Sequence, residues 1–306
     1  MDVATVIVTY NRKELVIECL KSIFNQSYNV EHIIIIDNAS TDGTQEALKR
    51  EGFLDNLKVD YHLMDENIGG AGGFYKGIEI AKAIGSDWIW IMDDDSIPET
   101  DCLSELVSKT MSHISFLASY VYGVNEEPMN VPEIDFSVSE NGYRYWHERL
   151  DEGLVKIKSA TFVSILINSN AVQKCGLPCK EYFIWGDDVE YTKRLTKYYG
   201  PAYFVGKSKV CHKRVSVGKL DVSTEKNPDR IKLFAYYYRN NLINAMMYES
   251  RAIVRHIIIH NFFKSFILLF KTSHGMLRFY AVMNGMLHAL WEQKNFKIYI
   301  ESQIEH

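Results

Sequence analysis

Cysteine is scarce and unpatterned in this chain. Its 306 residues hold five, Cys19, Cys102, Cys175, Cys179 and Cys211, an odd number with no disulfide framework. Such usage suits a reducing compartment. Cys175 and Cys179 lie close together, but no second cysteine or histidine pair stands near them, which argues against zinc. Uninterrupted apolar runs of about 18 residues are also missing, so no membrane-spanning helix is expected. Met1-Asp2 leads straight into a strand-like run, so no leader peptide is expected and the chain reads as cytosolic. Neither sign of charge dominates. A net charge of −5 gives no electrostatic case for nucleic acid as a partner. The composition is not that of a disordered chain, and the length allows one large domain with an appendage.

What is present is a repeated pattern. Val3–Thr9 is an apolar, β-branched run, and Lys13–Gln26 has helical spacing at Leu15, Val16, Cys19, Leu20, Ile23 and Phe24. His32–Ile36 is a second buried strand, after which Thr41 or Asp42 can cap a helix reaching about Arg50. Val59–Met64 is a third strand. Asn67–Gly73 then reads as a glycine-rich loop leading into a helix over Phe74–Ile84. Trp88–Met92 is the fourth strand, and it ends abruptly in Asp93, Asp94 and Asp95. Strands without clear alternation, separated by helices, predict a mainly parallel sheet covered on both faces. Ligands of such sheets bind at the carboxyl ends of the strands. Four polar clusters converge on that rim: Thr9-Tyr10-Asn11-Arg12, Asp37-Asn38, Asn67 with Gly69 and Gly70, and Asp93–Asp95.

Further along, a helix near Cys102–His113 precedes a strand over Ser115–Val124. Asn125–Lys158 reads as a long irregular excursion, and Ala160–Ile167 as a returning strand. Ala202–Val205 and Lys209–Cys211 read as two short strands before His212. Ser216–Asn227 is polar, and the chain turns helical from Pro228.

Three adjacent carboxylates are costly to bury without a cation. In an extended segment Asp93 and Asp95 point one way and Asp94 the other, so the outer two suit a hard divalent ion with a diphosphate. Alone, the triplet fits a solvated acidic turn better than a metal site. Gly69 and Gly70 allow close backbone approach to phosphate or sugar oxygens at a helix start, or simply a tight turn. Asp187-Asp188 follows Trp185 at the start of another helix. One acid suits a cap, the other a general base, and an acceptor sugar can stack on Trp185. His212 is a structural histidine unless the fold brings it to Asp95. Arg12 suits a phosphate or a surface position.

Together, Val8–Arg12, Ile36–Thr44, Asp93–Asp95 and Gly186–Glu190 resemble the family-2 inverting glycosyltransferases of GT-A fold, over roughly residues 2–215. Asn67–Phe74, the triple Asp and Trp185–Asp188 look most like bacterial galactofuranosyltransferases, with rhamnosyltransferases close behind. The resemblance implies an α/β GT-A catalytic domain over 1–215 and a helical region over 216–306. It implies that Thr9, Tyr10 and Asp37 hold the nucleoside, Arg12 the pyrophosphate, and Asn67, Gly69, Gly70 and Asp94 the donor sugar side. It implies Mn²⁺ or Mg²⁺ on Asp93, Asp95 and His212, Asp188 as catalytic base, and Asp187 with Trp185 at the acceptor. The expected reaction transfers galactofuranose from UDP-galactofuranose to a glycan, polyprenyl-linked, in a surface polysaccharide such as O-antigen or capsule. A dTDP-rhamnose donor and a non-catalytic nucleotide-sugar-binding subunit are the alternatives.

Arg230–Tyr248 carries Tyr236-Tyr237-Tyr238-Arg239-Asn240-Asn241, which also looks like family members acting on lipid-linked glycans. Arg251–Trp291 is rich in Ile, Phe, Leu and Met with interspersed basic residues. It fits a packed lid, a homo-oligomer contact or a basic amphipathic surface on a membrane. The expected location is cytoplasmic, at the inner face of the cell membrane.

Overall fold

A computed structural model describes residues 1–214 and 220–304. The expected domain division at 215/216, and residues 216–219 of the polar segment, lie outside the described residues. The first hundred residues alternate as expected: β1 (Val3–Thr9), α1 (Lys13–Phe24), β2 (His32–Asp37), α2 (Thr44–Arg50), β3 (Val59–Leu63), α3 (Gly69–Ala83) and β4 (Trp88–Asp93). Each crossover returns the chain in the same direction, so β1 pairs in parallel with β2 and β4, and β2 with β3.

Beyond β4 come β5 (Ser96–Pro98), α4 (Cys102–Val107), β6 (Phe116–Tyr122), β7 (Glu133–Ile134), β8 (Leu154–Ser159), β9 (Ile165–Asn168), α5 (Ser169–Cys175), α6 (Asp187–Tyr198) and β10 (Ala202–His212). The sheet order is β3-β2-β1-β4-β9-β6-β10-β8-β7, with β5 paired to β10. The added strands include antiparallel pairs, which makes the sheet mixed with a parallel half.

Alternation along β1 sends Val3 and Ile7 to one face and Ala4, Val6 and Val8 to the other. The first face packs on α1, α2 and α4, and the second on α3, α5 and α6. A third core is built from α7 (Pro228–Tyr248), α8 (Arg251–Lys271) and α9 (Gly275–Gln303) around Phe234, Leu242 and Val282. Tyr182 and Cys179 of the α/β unit belong to it, so the helices pack onto that unit.

Several expectations are corrected. The glycine run is not a loop ahead of a helix, because α3 begins at Gly69. Its glycines serve close packing. A Cβ on Gly69, which has φ +74°, would collide with the Phe183 carbonyl, and one on Gly77 with Val6. Ala160–Ile167 yields a strand only from Ile165, and α5 was not foreseen in Ser169–Cys175. The two short strands after Ala202 are one strand, β10, whose pairing with β6 slips between Val205 and Lys209. Polar residues at that slip broke the apolar pattern without ending the strand. The expectation of no spanning-length helix is also revised. Though charges interrupt it, α8 is long and apolar enough to cross a membrane by length and composition. Little of it is buried in the protein.

Candidate active site

Register brings the polar clusters together. Thr9 sits opposite Asp37 in the β1–β2 pair, and Val8 opposite Asp93 in the β1–β4 pair. Antiparallel pairing of β10 with β5 sets His212 against Ser96, one residue past Asp95. The last residues of β1, β2, β4 and β10 thus meet at one rim, with the start of α3 beside it through a 3.1 Å hydrogen bond from Asn38 Nδ2 to the Gly69 carbonyl.

The three aspartates divide their work. Asp94 and Asp95 lie in the turn after β4, so strict strand alternation does not govern them. Asp94 Oδ2 accepts from the Thr9 hydroxyl at 2.8 Å, and its Oδ1 from Arg12 Nη1 at 3.0 Å. Asp95 Oδ2 accepts from the same Arg12 nitrogen at 2.8 Å, and its Oδ1 lies 3.0 Å from His212 Nε2. The Asp93 carboxylate has no hydrogen-bond partner among the described residues. It stands beside Asp95 and His212, and one ligand atom from each of the three lies within 4.8 Å of the others.

Electrostatics match this geometry. Burial, then the charges of Asp95 and Asp94, push the Asp93 carboxyl well above the usual range. Burial lifts Asp94 to about 6, against the pull of Arg12. At Asp95 burial acts upward too, but the hydrogen bond and charge of His212, with Arg12, bring it below its ordinary value. Arg12 is only half-buried, yet Asp94 and Asp95 hold its guanidinium more firmly charged than usual against the effect of burial.

A hard or borderline divalent cation fits two carboxylates and one imidazole. The imidazole is prepared for it. His212 Nδ1 lies 2.9 Å from Asn130 Oδ1, a contact that orients the ring and turns Nε2 toward Asp93 and Asp95. Asn130 comes from the irregular excursion after β6 and was missed in the sequence, since no local pattern marks it.

The remaining expected residues are placed as follows. Thr9 is buried with its hydroxyl committed to Asp94. Asp37 is fully buried, accepting from the Ser40 amide at 2.8 Å and the Tyr61 hydroxyl at 2.6 Å. Tyr10 is exposed at the rim. Asn67 Oδ1 accepts from the Gly69 amide at 2.8 Å, shaping the start of α3, and Gly70 has open space where a Cβ would stand. Asn38 Oδ1 is buried without a partner among the described residues.

Asp187 and Asp188 occupy the first turn of α6. Neither is the N-cap residue, although Asp188 Oδ1 accepts from the Val189 amide at 2.7 Å. The N-cap is Gly186 at φ +92°, a conformation that favours glycine. Burial and then the neighbouring Asp188 charge raise Asp187 to about 8. Burial raises Asp188 less, to about 6, because backbone N–H groups of the helix start oppose it. The Asp187 charge adds to the upward push on Asp93, so it lies within electrostatic range of the three-ligand cluster. Trp185, at φ +60°, packs on Phe234 with ring centroids 5.0 Å apart, and the Arg230 guanidinium lies 6.0 Å over its ring.

The turn carrying this pair is held from α7. Asn240 Nδ2 donates to the carbonyls of Tyr182, Ile184 and Trp185 at 3.0, 3.0 and 2.7 Å. Asn244 Nδ2 donates to the Gly186 carbonyl at 2.8 Å, and its Oδ1 accepts from the Tyr182 hydroxyl at 2.7 Å. Arg239 donates to Asn240 Oδ1 at 2.9 Å and to the Glu181 carbonyl at 2.7 Å. The Tyr-Arg-Asn-Asn pattern was the available signal, but nothing local ties it to residues 182–186.

A nucleotide-sugar transferase architecture of GT-A type accounts for this sheet, this rim and this acid cluster. The glycosyl transferase family 2 profile matches residues 5–176, more than half of the chain, and the chain belongs to that family. Among curated relatives, galactofuranosyltransferase GlfT1 of Mycolicibacterium smegmatis is 28% identical over 206 residues, which is 64% of this chain and 65% of that protein. Abequosyltransferase RfbV of Salmonella typhimurium is 32% identical over 156 residues, 50% of this chain and 43% of the relative. The chain therefore aligns with just under two thirds of the first of these relatives and less of the second. Among solved structures, GalNAc-T7 with UDP, GalNAc and Mn²⁺ aligns at TM-score 0.58 and 15% identity, over 79% of this chain and 50% of that one. S. aureus TarS 1-349 with UDP-GlcNAc aligns at TM-score 0.55 and 13% identity, over 98% and 92%. At such identities these two neighbours establish the fold.

Proposed function

We propose that this chain is a divalent-metal-dependent, inverting glycosyltransferase that moves galactofuranose from UDP-galactofuranose to a glycan acceptor. The acceptor is read as lipid-linked, and the product as surface polysaccharide made at the inner face of the cell membrane. The observation that carries the reading is the meeting of Asp93, Asp95 and His212 at 4.8 Å or less, within electrostatic range of Asp187. The galactofuranose donor is supported by the name of the GlfT1 relative.

Asp93, Asp95 and His212 would hold Mn²⁺ or Mg²⁺. Bound there, the ion supplies countercharge for a departing nucleoside diphosphate. The protein's own groups do the rest. Arg12 is fixed by Asp94 and Asp95 with one edge open to solvent, where it can meet a phosphate oxygen. The buried Asn38 Oδ1 is an unused acceptor for a donor N–H or O–H. Asp187 at about 8 keeps its proton near neutrality, whereas Asp188 at about 6 is mostly ionised. The pair titrates as a unit, and the helix-start N–H groups favour the charge on Asp188. Asp188 accepts the proton of the acceptor hydroxyl as its oxygen bonds to the anomeric carbon, and the bond to the diphosphate breaks on the opposite side. One displacement inverts the configuration.

The test is a transfer assay with donor, lipid-linked acceptor and Mn²⁺, alongside thermal-shift measurements with nucleotides. UDP with metal should raise the melting temperature, because a ligand of the folded state stabilises it by mass action. A shift with dTDP but not UDP would reassign the donor to dTDP-rhamnose. Binding without turnover would leave a nucleotide-sugar-binding subunit.

A further inference from the structure

Residues 251–291 contain no aspartate or glutamate, in a chain with 39 acids. They carry Arg251, Arg255 and Lys271 exposed, Lys264 partly exposed, and Arg278 buried in the helical core. In α8, Ile259, Phe263, Phe266, Ile267 and Phe270 recur at helical spacing on one face, and all are exposed. Phe270 is 81% exposed, and Trp291 on α9 is 86% exposed. An apolar cavity of about 250 Å³ opens between α8 and α9, with Phe262, Met283 and Leu287 in its wall. A monomeric soluble surface rarely leaves so many aromatic groups together in water.

We propose that the α8–α9 face docks flat on an anionic lipid bilayer. This deepens the proposed location at a membrane. Charge decides the occupant. A second copy would set one acid-free basic face against another, with no carboxylate in the stretch to pair either. A leaflet with anionic headgroups supplies the missing charge and takes the aromatics into its boundary. Contacts on the opposite side of α8 keep the helix on the surface. Leu268 and Ser265 are buried against the protein, and Lys264 is paired with Asp221 at 3.2 Å.

The test is co-sedimentation of the full chain with vesicles of phosphatidylcholine, or of phosphatidylcholine doped with phosphatidylglycerol. The wild type should pellet with the anionic vesicles and weaken with salt. Phe263→Ser with Phe270→Ser should cut partitioning about tenfold or more, and Arg251→Gln with Arg255→Gln by a similar factor on anionic vesicles alone. An unchanged UDP thermal shift in each variant shows an intact fold. Wild-type protein that ignores anionic vesicles, or variants that bind as well as wild type, would overturn the proposal. So would a dimer that the Phe263/Phe270 variant dissolves. None of these readings depends on turnover, so glycosyl transfer can fail or succeed separately.

A different set of contacts assigns Asn240 and Asn244 as positioning residues for the Asp187-Asp188 turn. Both are buried, and between them they satisfy four carbonyls of a turn that has positive φ at Phe183, Trp185 and Gly186. This rests on the glycosyltransferase reading. Asn240→Ala should lower kcat about 10²-fold through misplacement of the acid pair, with donor KM and UDP binding nearly unchanged. Leu242→Ala thins the same helix core without touching the clamp, so it should lose stability while keeping kcat. Equal kcat in both variants would reduce the asparagines to scaffold. If wild type transfers no sugar, the functional reading itself has failed.

Discussion

The strand-end rim and the α8–α9 face invert the usual distribution of polarity in opposite ways. At the rim, carboxylates are buried: Asp94, Asp95 and Asp187 are all less than a tenth exposed. On the helical face, phenylalanines and a tryptophan stand in water. Each arrangement carries a solvation penalty that the chain alone does not recover. On the functions proposed above, a cation and an anionic donor would complete the rim, and a surface of opposite charge the face. Comparing them shows that misplaced polarity locates function better than burial does, because both regions are also backed by buried apolar clusters. Between them stands α7, whose Asn240 and Asn244 are buried and bonded to the turn that carries the acid pair.

If the two regions are separable in this way, damage to one should leave the other's readout intact. The largest effect is expected at the base. Asp188→Asn should lower kcat by about 10³-fold while UDP still binds, measured by initial rates and calorimetry; full activity would remove Asp188 from the mechanism. Vesicle binding should not change.

Next comes the joint between the regions. Glu190 and Arg194 are wholly buried and doubly bonded at 2.7 and 3.1 Å, and Tyr248 of α7 donates to Glu190 at 2.9 Å. Removing one partner strands a buried charge. Glu190→Ala should therefore destabilise by about 3–5 kcal/mol in urea unfolding. A loss under 1 kcal/mol would show that water reaches the pair.

A smaller effect tests the cation site. Asn130→Ala should weaken Mn²⁺ binding by about 10–100-fold without removing a ligand, because His212 loses the partner that orients it. Titration of the metal requirement would show this as a shifted midpoint. An unshifted midpoint would mean that His212 does not ligate.

The smallest effect depends on pH. The folded Asp187 carboxyl keeps its proton to about 8, while an unfolded aspartate releases it near ~4. Folding thus takes up a proton between those values, and stability declines as pH rises through that window. Asp187→Asn removes the loss, so its gain in melting temperature should grow from pH 5 to pH 8, by a few degrees. A gain that is constant with pH would mean that Asp187 is ionised in the fold. Activity should meanwhile fall below about pH 6 as Asp188 takes up a proton.

Much of this was legible in the sequence. Buried parallel strands announce themselves as apolar runs, and Val3–Thr9, His32–Ile36 and Trp88–Met92 were found nearly to the residue. The acids at their ends followed. The antiparallel half was harder. Ala160–Ile167 is mostly apolar, yet only its last part is extended, because composition does not say where a turn intervenes. The glycines of α3 looked like a loop because their function, close approach to β1 and to Phe183, is tertiary. The long-range polar contacts were invisible for the same reason. Asn130 reaches His212 across 82 positions and Asn240 reaches Trp185 across 55, with no spacing rule to connect them. His212 was decided only when the fold set it beside Asp95, 117 positions away.

The slip in β10 sets the phase of the strand's end. Between Val205 and Lys209 the strand inserts residues that β6 does not match, and pairing then resumes as far as Cys211, one residue before His212. Side chains of a strand alternate, so a one-residue change of length there exchanges the faces of everything downstream. Deleting Lys207 would leave the chain almost as long and the sheet able to form. It would turn the imidazole away from Asp95 and bring a neighbouring side chain to that place. An irregularity that looks like slack in the sheet is, for this chain, the element that sets which side chain of the strand's end faces Asp95.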